Sequence, residues 1–323
     1  MRIVRALRLP GGLLPAASAV LAAIPAQYLH FDEHGRRHPA SAYEASLRQI
    51  TTRWTKVFEA LNRLRTQYLW EQRDEHFPQL LDDYCQLLHR FHEHLDACHS
   101  SMRSLCCPAD GPDTPFDVRF LDKAKVPGWK RFREVTKTYN DDHIGLIVNT
   151  LKHSQGELCG IYFWSSIDFR PGYFLRDILR GGALGPHRKL HDGGDTAFSF
   201  TRDMLLHLWQ IFRVGEALAE AVTTFVRTKH SLELQLSPDI GGFPEWSSVI
   251  ANCASLPPEF FPDETAKPYP LVLYNPRDGE VALEYPGTAR GIQLDPNAQI
   301  RVAFTVDGNH LCNKMPYMTK GRR

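Results

Sequence analysis

In the stretch 201–230, TRDMLLHLWQIFRVGEALAEAVTTFVRTKH, the positions Met204, Leu208, Ile211, Gly215, Leu218, Val222 and Phe225 recur at alternating intervals of four and three. That seven-residue period places all of them on one side of a long helix, which must bury the stripe against other helices. A small residue at Gly215 within the stripe predicts a close crossing rather than a break. The chain is therefore built around a helical body, and the rest of the sequence is read by how it packs on this helix.

Upstream, Ala42 to about Ser100 is rich in strong helix formers, with Pro78 marking a break, so the spacing predicts a helical hairpin. Its second arm carries Leu81, Tyr84, Leu88, Phe91, Leu95 and Cys98 at helical intervals as a core stripe. Residues 107–115 are dense in Pro, Gly and Asp and end the hairpin in a loop. Asn140, Asp141 and Asp142 suit a helix start and Gly156 a stop, with Ile144, Ile147, Val148 and Leu151 facing inward. The run 158–164 is aromatic and β-branched and reads as a strand. Beyond Ser237, prolines and glycines punctuate short apolar runs at 271–274, 281–285 and 300–306, with Asp278-Gly279 and Asp307-Gly308 as turns. The fold class is α+β: an N-terminal segment over 1–40, a mainly helical body with a few short strands over 41–235, and a β-rich C-terminal module over 236–323.

The 323 residues are 43% hydrophobic and 23% charged, enough to bury a core and too apolar for a disordered chain. Lys and Arg total 38 against 37 Asp and Glu, a net charge of +1, so the chain as a whole has no electrostatic attraction to nucleic acid or membrane. Seven scattered cysteines, at 85, 98, 106, 107, 159, 253 and 312, fit free thiols in a reducing, cytoplasmic setting better than a disulfide framework. Arg2, Arg5 and Arg8 before Leu13–Ala23 outline an export signal, but Pro10, Gly11, Gly12 and Pro15 interrupt it; an Ala-rich first helix is the alternative.

Among residues that could carry chemistry, Asp142, Asn149 and His153 fall on one side of the helix expected after Asn140. A histidine there could serve as a general base, with Asn149 orienting it or a phosphate; the plainer reading is a pair of hydrogen-bonded core residues. This segment resembles the HEPN superfamily of bacterial helical proteins, many of them metal-independent ribonucleases of defence or stress systems. The family carries an Arg, a polar residue that is often Asn, three variable residues and a His; Asn149 and His153 match, while Val148 stands at the place of the Arg that stabilises the scissile phosphate. The runs 171–175, 185–187 and 197–200 are also similar to bacterial proteins that bear an Asn-x-x-Lys-His segment like Asn149–His153, a likeness that implies no function. The resemblance implies an RNA-acting or RNA-binding protein with Asn149 and His153 as catalytic candidates, joined by Asp142 from its place on the same side of the helix, and Val148 puts its ribonuclease activity in question.

Lys130, Arg131 and Arg133, interleaved with Trp129, are the candidate RNA contacts, since basic groups grip phosphates and aromatics stack on bases. Their alternative is a solvated helix face. Two further clusters, Cys85, His89, His92, Asp96 and His99 on one helix stripe and His187, His191, Asp192 and Asp195 in a glycine-rich loop, contain metal-ligand types at spacings that match no standard zinc site. The sequence thus assigns no metal and no cofactor. Its partners are RNA or, on the alternative reading of a non-catalytic interaction module, another protein or a second copy of the chain, with no membrane.

Overall fold

The computed structural model describes residues 2–5, 7–9, 12–71, 75–153, 156–165, 168–179, 182–236, 244–275, 280–287, 298–303 and 314–318. Three short strands, β1 (Arg2–Arg5), β2 (Leu7–Leu9) and β3 (Gly12–Leu14), lead into helix α1 (Ala16–Ala22), the Ala-rich helix expected there. The hairpin follows as α2 (Pro39–Glu71) and α3 (Phe77–Arg103), with Pro78 in the first turn of α3, where its missing N–H costs nothing. Then come α4 (Asp117–Ala124), α5 (Trp129–Tyr139), a π-helical turn at Asn140–Ile144 and α6 (Gly145–His153). Strands β4 (Glu157–Trp164), β5 (Phe169–Ile178), β6 (Leu184–Pro186) and β7 (Phe198–Ser199) precede the long helix α7 (Phe200–His230). Helix α8 (Pro244–Ala254) and strands β8 (Tyr269–Asn275), β9 (Glu280–Gly287) and β10 (Gln299–Ala303) complete the α+β fold.

Helix α7 runs through the core, and Met204, Leu208, Ile211, Leu218, Val222 and Phe225 of its stripe are all buried. The close crossing expected at Gly215 is present, but its partner is the entry to α1: a Cβ there would lie 2.6 Å from Pro15 Cβ and 2.9 Å from Tyr43 Oη. On the other flank Gly128, at φ +80°, lets α5 start against α7, with the Cβ position 2.7 Å from Ala221 Cα.

An antiparallel sheet in the order β10-β4-β5-β6, with β7 on β5, closes one side of the helical core. A second sheet, in the order β1-β9-β8, packs on α7 and α8 through β8. The strands expected after residue 236 are thus present but divided between two sheets: β10 extends β4, and β9 pairs with β1 from the far end of the chain. A helix, α8, also lies in this stretch. Pro244, one of the prolines of this stretch, is its first residue, a position where proline's fixed φ is compatible with a helix. The Asp278-Gly279 and Asp307-Gly308 turns and Cys312 lie outside the described residues, within which the six cysteines are free thiols. Among the described residues no helix is long and apolar enough to cross a membrane.

Candidate functional site

The helix expected to start at Asn140 is instead continuous with α5. At the junction the backbone widens into one π-turn, a feature found disproportionately at functional sites. Asp141 and Asp142 on this turn are exposed, while the next residue, His143, points into the protein with 13% of its side chain exposed. Its Nε2 lies 2.8 Å from Oδ1 of Asp203, a fully enclosed carboxylate in the first turn of α7.

Asp203 is the hub of a buried polar cluster. Its Oδ2 accepts hydrogen bonds from the hydroxyls of Tyr84 on α3, at 2.6 Å, and Tyr173 on β5, at 2.5 Å. One turn along α7, His207 is fully buried, and its Nδ1 is 2.6 Å from the hydroxyl of Tyr139 at the end of α5. His207 Nε2 lies 3.2 Å from Asp203 Oδ2, an ion-pair distance at which no well-aligned hydrogen bond forms. Phe91 stacks on the His207 ring at 4.3 Å, and Phe198 lies 5.4 Å from the His143 ring.

Burial alone would raise the Asp203 pKa, but His207 and His143 outweigh it and hold the carboxyl well below its ordinary range. Burial pushes the hydroxyls of Tyr84, Tyr173 and Tyr139 well above 10, so all three remain protonated. Burial lowers the His207 pKa, with Asp203 opposing. An ionised carboxylate and a neutral imidazole are the protonation states in which these side chains bind metal.

His143, Asp203 and His207 each offer one ligand atom, and these atoms lie within 4.8 Å of one another. A cation with ligand bonds of about 2.1 Å fits among them after slight inward movement of the side chains. Two imidazoles and one carboxylate make the donor set of facial-triad sites. If His207 Nδ1–H donates to the Tyr139 oxygen, the Nε2 lone pair is turned into the cluster, the arrangement that outer partners impose on metal-bound histidines.

The residues singled out from sequence lie elsewhere. Asn149 and His153 are exposed on α6, and Asp142 is ion-paired with Lys189 at 3.1 Å. Val148 is buried, so the position of the family's arginine faces the core. In the basic segment Lys130 is exposed, Arg131 pairs with Glu220 at 2.9 Å and Arg133 with Asp122 at 2.8 Å. Trp129, expected as a stacking platform, is buried, with its indole N–H donating to Asp122 at 2.8 Å, because α5 turns its aromatic face onto α7 and α3.

Neither of the clusters first considered for metal converges among the described residues. On the α3 stripe, His92 sits 3.9 Å from Asp96, and burial lowers His99 to about 4 against Trp129 and Phe132. In the glycine-rich loop, His191 is buried and its Nε2 accepts the Leu175 N–H at 3.0 Å, while Asp192 is bound to Lys267. Sequence reasoning missed the central cluster because its members come from five elements. The one local signal was Asp203-x-x-x-His207, two ligand types one turn apart on the best-defined helix. Comparison with protein-family models, curated proteins and solved structures finds no match.

Proposed function

We propose that the protein is a metal-dependent enzyme whose centre is a divalent first-row transition metal held by His143, Asp203 and His207. The convergence of His143, Asp203 and His207, whose ligand atoms lie within 4.8 Å of one another inside the protein, carries this reading, and the poorly aligned His207 Nε2 gains a better partner when it ligates a cation. When bound, such a metal supplies Lewis acidity and positions for exogenous ligands. The chain's own part is to hold the carboxylate in place through two phenols, to fix the His207 tautomer through Tyr139 and to flank the centre with Phe91 and Phe198. Metal-depleted protein titrated with Co(II) should take up one equivalent, and both His207→Ala and Asp203→Asn should weaken uptake severely. Uptake that neither substitution alters would overturn the reading.

A second reading keeps the HEPN-like, RNA-acting role and is favoured by the exposure of Asn149, Lys152 and His153 along one side of α6. With Val148 facing the core, that surface lacks the family's phosphate-gripping arginine, so this reading is of RNA binding rather than cleavage. Its test is salt-dependent binding of single-stranded RNA that Lys152→Glu with Lys130→Glu weakens. Cleavage lost in His153→Ala would restore the ribonuclease form of the reading.

A further inference from the structure

Asp203 presents its two oxygens to different surroundings. Oδ2 receives the hydroxyls of Tyr84 and Tyr173, one from a helix and one from a strand, at 2.6 and 2.5 Å. Those two bonds occupy both lone pairs of that oxygen. This accounts for the poor alignment of His207 Nε2, which lies 3.2 Å from Oδ2 at ion-pair distance. Oδ1 is different: its partner is His143 Nε2, at 2.8 Å, on the side of the cluster that retains solvent exposure.

We infer that Tyr84 and Tyr173 are positioning residues that restrict Asp203 to ligation through Oδ1 alone, leaving coordination positions for a small exogenous ligand, water or a small anion. The inference rests on the metal reading above and specifies what the centre binds. Two imidazole nitrogens and one oxygen fill three positions of a metal that takes four to six ligands. A carboxylate free to chelate through both oxygens would fill one of the remainder. Of the three ligands only His143 keeps appreciable exposure, 13% of its side chain, so the added ligand reaches the centre from its side.

The test uses the full chain loaded with Co(II), whose visible absorption is intense at four or five ligands and weak at six, with azide as the small-anion probe. Wild type should show an intense band that azide shifts. In Tyr84→Phe with Tyr173→Phe the band should weaken and the azide response should fall about tenfold or more, as Oδ2 joins the metal. The single variants should be intermediate, and they decide the matter if the double variant does not fold. Wild type that binds Co(II) but ignores azide, or a clamp variant with an unchanged spectrum, refutes this inference while the metal reading stands. Wild type that takes up no Co(II) removes both.

Discussion

The Tyr139 hydroxyl meets the centre through His207 Nδ1, so it can be removed without removing a ligand. Outer partners of metal-bound histidines are worth about 10–100-fold in affinity. Tyr139→Phe is therefore expected to weaken Co(II) by that factor in competition with a chelator, with the stoichiometry unchanged. Glu264 offers a second test, one of pH. It anchors the start of α7, accepting from Ser199 N–H at 3.0 Å, Ser199 Oγ at 2.5 Å and Phe261 N–H at 3.0 Å. Burial raises it from 4.5 to about 7 against these donors and Arg202. A carboxyl raised in the fold stabilises the protonated native state, so this contribution is full below about pH 4.5 and lost as pH rises through about 7. Urea denaturation should show stability declining across that window in wild type and a flatter profile in Glu264→Gln. Equal slopes in the two proteins would show that Glu264 stays ionised throughout. Neither residue stood out in the sequence, since a tyrosine or glutamate gains such a role only from what the fold brings against it.

At the scale of elements, apolar periodicity was a sound guide wherever a helix buries one clear stripe. The second arm of the hairpin, α3, and the whole of α7 follow it, because burial of such a stripe decides the local structure, while β4 was legible from its aromatic and β-branched run. It failed at the junction of α5 and α6, where Asn140, Asp141 and Asp142 carry the chemistry of a helix cap but lie within a π-turn. Tyr139 before the turn and Ile144 at its end are both buried, so packing on both sides outweighs the local preference to start afresh. The same failure hid His143, which sits beside two exposed acids and reads as surface. Two glycines test the packing that was legible. Alanine gains about 1 kcal/mol over glycine in a helix, yet Gly215→Ala drives its Cβ to 2.6 Å from the Pro15 ring, which cannot rotate away. Overpacking of this kind costs about 1–3 kcal/mol, so a net lowering of the urea midpoint is expected. Gly128→Ala should cost more, combining a left-handed φ with contact on the α7 backbone. A midpoint at or above wild type in Gly215→Ala would mean that the entry to α1 yields freely.

For the whole molecule, the decisive question is whether the residues after 236 form an independent unit. Sequence texture separates them, because prolines and short apolar runs replace helical periodicity, but texture says nothing about which edges the strands join. In the fold, Trp246 of α8 is buried with its ring 6.2 Å from Trp54 of α2 and 6.0 Å from Phe212 of α7. The β10 strand covers the edge of β4, and Arg65 of α2 is paired with Glu259, both largely buried. A chain cut back to 1–236 would therefore expose the edge of β4, an aromatic socket between α2 and α7 and an uncompensated Arg65. Unpaired edges and apolar sockets of this kind promote association rather than stable monomers. The 1–236 fragment is expected to aggregate or to unfold without a cooperative transition, and adding 237–323 as a separate chain should restore the transition at least in part. Should 1–236 alone stay monomeric and unfold at the full-length midpoint, the helical body would be a domain in its own right and the C-terminal strands an attachment to it.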